Sequence, residues 1–290
     1  MSVFPLSAAV PELSAAVPEL STAVPELSTA VPVPSTAVPE LSAAAYGPAL
    51  VALDFDGTLA LISPHPEDAR PVSGAHQVLC DVRATGATLA IVTGRSVASL
   101  LRVSGFGDIP GLVIYGTHGA ERWEDGLLRA PAPPPGLEDL KVRLPGLVAG
   151  IAQDPDVWVE EKGLSLVVHA RLTADPDRVL ERLREPVEKA AAAAGLGLRP
   201  GKEVLEICLP GIDKGTALRE LLDADPAAAL YAGDDVGDVA AMAEVRGWAG
   251  RSGRAGLTVA VGPGGGPLAG LADVTVADPQ AVLDFLVSLL

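Results

Sequence analysis

Beyond residue 47 the chain alternates short apolar runs with stretches where apolar residues recur every three or four positions. The runs Val51–Leu53, Thr88–Thr93, Leu112–Tyr115 and Ala229–Ala232 are apolar almost throughout and end at glycine or an acid. That is the signature of strands buried on both faces. Between them Ser73–Thr85 carries Val78, Leu79 and Val82 on one helical face and stops at Gly86, while Val97–Arg102, Lys214–Leu222 and Gln280–Leu290 also read as helices. Strand alternating with helix predicts a parallel sheet covered on both sides.

From about 120 to 208 the rhythm changes. Leu137–Ala152 has a helical pattern that Pro145 is expected to interrupt, and Asp177–Ala194 is a helix rich in Ala, Glu and Arg. Val157–Glu160 and Leu164–His169 read as two strands joined by a turn at Lys162-Gly163, and Lys202–Pro210 as another strand. Strand and helix then alternate again through Gly256–Val261 and Ala272–Val276. The expected fold is α/β, with a doubly wound parallel-sheet core of Rossmann type (residues 48–119 plus 209–290). An α+β cap (120–208) is inserted into it.

Residues 1–47 follow a different rule. Ala-Val-Pro-Glu-Leu-Ser recurs with prolines at Pro11, Pro18, Pro25, Pro32 and Pro39. A heptad spacing invites a coiled coil, but proline in every repeat forbids continuous helix, and each repeat has little apolar mass to bury. The segment is read as an extended, disordered low-complexity tail.

Composition narrows the function classes. Aromatics are only 3% of the chain, so the core must rest on Leu, Val, Ile and Ala. With 21 basic against 37 acidic residues the formal charge is -16, which leaves no footprint for nucleic acid. No apolar run reaches membrane-spanning length, and the first residues lack the pattern of a secretory signal, so a cytoplasmic location and no membrane partner are expected. Cys80 and Cys208 sit in apolar surroundings and read as free buried thiols. Oligomeric state is left open, with a monomer admissible.

The chemistry gathers where strands end. Val51-Ala-Leu-Asp54-Phe-Asp56-Gly57-Thr58 places two carboxylates two residues apart, hence on one side of an extended segment, before a glycine that can turn the backbone tightly. Thr58 is expected to hydrogen-bond within that turn. Thr93-Gly94-Arg95, Lys214 and Asp234-Asp235-Val236-Gly237-Asp238 occupy equivalent positions. Open parallel sheets form their sites outside the carboxyl ends of the strands. Carboxylates of this density suit a hard cation, with Mg²⁺ the expected one. The glycine-rich Gly262–Gly266 lacks the spacing and the Lys-Ser ending of a nucleotide loop and is read as a plain loop.

In order, DxDGT, Thr-Gly-Arg, a helix-opening lysine and GDDxxD resemble the four motifs of the haloacid-dehalogenase-like phosphohydrolases. Tyr115-Gly-Thr-His-Gly-Ala-Glu121, Glu161-Lys-Gly through His169-Ala-Arg171, Leu205-Glu206 and Gly211-Ile-Asp-Lys-Gly-Thr216 are similar to segments of trehalose-6-phosphate phosphatases. The chain differs from them at Gly237 and Val239, where threonine and an acid are usual. The resemblance implies that Asp54 attacks phosphorus and forms an aspartyl-phosphate, and that Asp56 protonates the leaving sugar and then activates water. It implies phosphate contacts from Thr93 and Lys214. Metal ligation is implied for Asp54, the Asp56 carbonyl and Asp234, with Asp235 and Asp238 acting through water or by orienting Lys214. Gly94, Arg95, His118, Glu121, Glu161, Lys162, His169, Arg171 and Glu206 are its candidate substrate residues. His118 and Glu121 lie at the core–cap crossing, where holding the hinge is the other reading, and His169 packing against an acid across the strands also remains open. The implied substrate is trehalose 6-phosphate. Phosphatases of sucrose-phosphate or glycosyl-glycerate type, and a non-catalytic regulatory protein on the same fold, are the alternatives.

Overall fold

The computed structural model describes residues 48–63, 65–201 and 203–290; the heptapeptide repeat and its expected disorder lie outside the described residues. The chain begins with β1 (Leu50–Leu53), α1 (Ala75–Ala84), β2 (Thr88–Val92), α2 (Val97–Ser104) and β3 (Val113–Gly116). A hairpin follows, β4 (Glu121–Glu124) and β5 (Leu127–Arg129), then α3 (Leu137–Ala152). Next come β6 (Trp158–Lys162), β7 (Ser165–His169), α4 (Pro176–Ala193), β8 (Gly197–Gly201) and β9 (Val204–Cys208). The last third holds α5 (Lys214–Leu222), β10 (Ala228–Gly233), α6 (Val239–Ser252), β11 (Ala255–Val261), β12 (Val274–Val276) and α7 (Pro279–Leu289).

Eight strands form one sheet in the order β12-β11-β10-β1-β2-β3-β4-β5, parallel except for the β4–β5 hairpin at its edge. Alternation along β1 splits its side chains between two apolar layers. Val51 and Leu53 join the layer that includes Leu79, Leu100 and Leu283 of α1, α2 and α7. Leu50 and Ala52 join Leu218, Met242 and Trp248 of α5 and α6. With β1 central, successive strands run outward on one side through β2 and β3 and on the other through β10 to β12. The winding therefore reverses between β1 and β10, and such a reversal leaves a crevice at the strand ends.

The second sheet, β6-β7-β9-β8, is antiparallel. Leu166, Val168, Leu205 and Ile207 on one of its faces pack against Leu140, Leu144 and Val148 of α3 and Leu180, Leu183 and Val187 of α4. Helix α3 runs unbroken through Pro145, contrary to the expected interruption. Proline removes one backbone donor, but Leu144 and Val148 on either side anchor the helix in that apolar layer. Residues 121–129, assigned from sequence to the cap, form instead the edge of the large sheet, β4 pairing with β3 and β5 with β4. Cys80 is only half buried, against the expectation, whereas Cys208 is buried; both are free thiols. Among the described residues no helix is long and apolar enough to cross a membrane.

Candidate active site

The winding reversal delivers the acids. Asp54 follows β1 and its N–H donates to Ala232 O of β10 at 2.9 Å, so the ends of the two strands are stitched side by side. Gly57 turns away with φ of 80°, a conformation that L-residues resist, and a Cβ there would lie 2.1 Å from Asp234 Oδ2. Glycine is thus what lets the β1 loop meet the β10 loop. Thr58 is buried, but its hydroxyl has no hydrogen-bond partner among the described residues, so the turn is held by backbone bonds rather than by Thr58.

Lys214 is the first residue of α5, fixed there by Asp213, whose Oδ1 accepts from Thr216 N at 2.9 Å. Its buried ammonium lies 2.8 Å from Asp54 Oδ1 and 2.7 Å from Asp238 Oδ1. Burial works against that charge, but Asp238 and Asp54 outweigh it and hold the lysine above its ordinary range. Asp238 is fully used. Its Oδ1 accepts from Lys214 and the Tyr231 hydroxyl, and its Oδ2 from the N–H groups of Asp234 and Asp235 at 3.0 and 3.1 Å. Both of its oxygens are thus engaged, one of them by Lys214. Asp235 caps the turn after β10, accepting from Gly237 N at 2.7 Å.

One ammonium does not neutralise this cluster. Burial pushes the Asp54 carboxyl well up, Asp238 and Asp234 add to the shift, and Lys214 only partly opposes it. Burial, Asp238 and Asp235 raise Asp234 to about 7. Oxygens of Asp54, Asp234 and Asp238 lie within 4.8 Å of one another. A buried all-oxygen set that is short of positive charge fits a hard divalent cation, and Asp54 and Asp234 are the members with oxygens to spare.

Thr93 follows β2; its buried Oγ1 accepts from Arg95 N at 3.2 Å. Arg95 forms a bidentate pair with Asp56, Nε to Oδ2 and Nη2 to Oδ1, both at 2.7 Å, with its guanidinium over the Phe55 ring. The arginine expected to meet substrate is therefore engaged with the second acid of the opening motif.

The cap sheet turns its other face to these groups, enclosing a cavity of about 1090 Å³. Asp54, Asp56, Thr93, Gly94, Arg95, His118, Lys162, His169, Arg171, Glu206, Lys214, Asp234 and Asp235 all line it. Three expected residues do not. Asp238 lies beneath the floor, as described. Glu121 is buried at the hinge, where its Oε2 accepts from Val97 N at 2.6 Å, so it holds the crossing. Glu161 points the other way: it lies opposite Leu166 in the β6–β7 pairing, on the helix side, 60% exposed and 3.9 Å from Lys141 of α3.

Strand parity puts the neighbouring Glu160 on the cavity side of β6, although it does not itself line the cavity. Glu160 shares the face of Lys162, and its Oε2 accepts from His169 Nε2 at 2.8 Å and lies 3.6 Å from Lys162 Nζ. Burial opposes ionisation of Glu160, but His169 and Lys162 win and its carboxyl falls below the ordinary value. His169 is buried, stacks on Trp158 with ring centroids 4.6 Å apart, and is pushed down mainly by burial. It packs against an acid across the strands while also lining the cavity. Arg199 and Glu203 line the cavity without having been singled out; β8, Gly-Leu-Arg-Pro-Gly, has too little strand character in sequence to reveal which way Arg199 faces.

A family model described as Trehalose-phosphatase matches residues 52–259. A probable trehalose-phosphate phosphatase of Sinorhizobium fredii is 36% identical over 219 residues, covering 73% of this chain and 77% of the relative. The trehalose-phosphate phosphatase of Mycobacterium marinum is 35% identical over 201 residues, covering 65% of this chain. The chain spans only about half of that relative's length, 49%. The C-terminal domain of Candida albicans trehalose-6-phosphate phosphatase superposes with a TM-score of 0.73 at 20% identity, covering 90% of this chain and 99% of the domain; that likeness concerns the fold.

Proposed function

Because this chain belongs to the trehalose-phosphatase family, we propose that it hydrolyses trehalose 6-phosphate to trehalose and phosphate. The observation that carries the reading is the contact of Asp54 with Lys214 at a charge-deficient acidic cluster, beneath a cavity whose roof carries Lys162, His169, Arg171 and Glu206. A non-reducing disaccharide phosphate offers hydroxyls and a dianion, and the roof supplies donors and acceptors for the former. The cavity volume is at the upper end of the range for small-molecule sites, enough for a phosphorylated disaccharide.

Asp54 Oδ2 attacks phosphorus, the bond from phosphorus to the sugar oxygen breaks, and Asp56 delivers a proton to that oxygen. Water then attacks the aspartyl-phosphate, giving its proton to Asp56 and releasing Asp54 and phosphate. Lys214 screens Asp54 from the approaching dianion, and Thr93 with the neighbouring amides holds phosphoryl oxygens. Asp56 must leave its bidentate pair with Arg95 to carry the proton, which frees Arg95 for the substrate. Asp54, Asp234 and the Asp56 carbonyl would hold Mg²⁺, which when bound would supply positive charge to the transferring group.

The test is phosphate release from a panel of phosphorylated sugars with and without Mg²⁺. Preferred, Mg²⁺-dependent turnover of trehalose 6-phosphate is expected. Faster turnover of sucrose phosphate or a phosphorylated glycosyl-glycerate would overturn the substrate while keeping the chemistry. No release from any of them would overturn both.

A further inference from the structure

We propose that His118 is a positioning residue that couples seating of the cap to the phosphate-binding loop, clamped by a strained turn at Thr117-His118. The inference rests on the phosphatase reading, and it concerns how the two halves of the site communicate.

Three observations carry it. Thr117 and His118 are consecutive non-glycine residues with positive φ, 48° and 56°. For β-branched threonine in particular this is a conformation that persists only where the surroundings impose it. The imposing contacts all go to one place: Thr117 N–H donates to Arg95 O at 2.7 Å and His118 N–H to Thr93 O at 2.9 Å. The turn thus grips the Thr93-Gly94-Arg95 loop on both sides of its glycine. The imidazole then lies across Gly94, where a Cβ would come within 2.9 Å of its Cε1 and Nε2.

The far end of the same side chain leaves the core. His118 Nε2 lies 2.7 Å from Glu206 Oε2 on β9, with the two side chains only 12% and 11% exposed. His118 is one strong contributor to the low pKa of the Glu206 carboxyl, acting against burial. One residue therefore has its backbone bonded to the phosphate loop, its ring on that loop's glycine, and its tip paired with the cap. Were Glu206 only a sugar contact, nothing would require the imidazole to reach it from the hinge.

Withdrawing Glu206 leaves His118 without its anchor, and the ring resting on Gly94 is then free to move, loosening the loop that holds phosphate. Cutting a cap residue must accordingly harm a substrate that carries no sugar. The measurement is kcat/KM for p-nitrophenyl phosphate in Glu206→Ala, His118→Ala and the double variant. A loss of about tenfold is expected in each single variant, with the double no worse than either, since contacting residues couple rather than add. Glu206→Gln keeps an acceptor for Nε2 and is expected to recover most of the activity. Binding of inorganic phosphate, followed by calorimetry, is expected to weaken in the same order, and it reads the coupling even if turnover is absent.

If p-nitrophenyl phosphate turnover and phosphate affinity in Glu206→Ala match the parent while only sugar phosphates suffer, the coupling is overturned and Glu206 is a sugar contact alone. Losses that multiply in the double variant also overturn it. A parent protein that binds inorganic phosphate but turns over neither p-nitrophenyl phosphate nor a sugar phosphate defeats the proposed function instead.

Discussion

The two sheets place their chemistry differently. In the parallel sheet both faces are buried by helices, so the acids and the threonine of the site sit where strands stop: Asp54 after β1, Thr93 after β2, Asp234 after β10. In the cap one face is sealed by α3 and α4 and the other is open to the cavity, so function follows the parity of residues along a strand. A core site is a matter of position at an end; a cap site is a matter of which side is up. The charge balance differs too. The core collects acids with insufficient compensation, whereas Glu160 and Glu206 in the cap each pair with a histidine and also feel the Lys162 ammonium.

The sharpest way to break this contrast is at the strand ends. Asp54→Asn is expected to lower phosphate release by at least about 10³-fold, as loss of a nucleophile does, with thermal stability unchanged or raised because a buried charge is removed. Full turnover with native stability would refute the nucleophile. Lys214→Met leaves Asp54 and Asp238 buried without their cation and is expected to cost about 3–5 kcal/mol in denaturant unfolding. A loss below about 1 kcal/mol would show that the ammonium does not balance the acids.

In the cap the contrast is tested by two adjacent residues. Glu160→Gln is expected to reduce kcat/KM for the sugar phosphate by about 10- to 100-fold, the range for losing a charged hydrogen-bonding group. Glu161→Gln on the helix side is expected to stay within about twofold, as for an exposed ion pair. Equal effects would mean that parity does not govern the cap.

The two regions are also expected to answer pH with opposite signs, a smaller effect best read by calorimetric unfolding of metal-free protein. Asp234, raised from 3.8 to about 7, binds protons in the folded state that the unfolded chain has already lost, so this cluster weakens the fold as pH climbs between those values. Glu160 and Glu206 are held below the ordinary value of 4.5, so their contribution is present above it and lost as pH falls through their folded values. His169, held below 6.5, adds to the loss on acidification, since the unfolded imidazole protonates first. Mg²⁺ is expected to raise the melting temperature more at pH 8 than at pH 5. The reverse order would argue against a cation at Asp54 and Asp234.

The same distinction explains what was legible in the sequence. Asp54, Thr93 and Asp234 each close an apolar run and Lys214 opens a helix, and such punctuation survives an error of a residue in the element boundary. Glu161 was expected at the cavity and lies on the helix side instead because, in a strand, a slip of one residue turns a side chain to the opposite face. Residues 121–129 were misassigned because a short antiparallel hairpin at a sheet edge carries no mark of which sheet it will join. The pairing of Arg95 with Asp56 was not legible, since the two lie far apart in sequence, whereas contact of Asp238 with Lys214 was one of the two readings left open for that acid.

The reversal of winding at β1 has a consequence for the order in which the molecule is made. The strand bearing Asp54 leaves the ribosome early, but its neighbour β10 and the lysine of α5 are synthesised only after the whole cap. Until then β1 can pair only with β2, and three of the eight strands of the eventual sheet are missing. The intervening stretch from α3 to β9, by contrast, closes its own sheet and apolar layer without waiting for later residues. The nascent chain is thus expected to fold from the inside of its sequence outward, with the acids brought together last, when the ammonium that tempers their repulsion is already at hand.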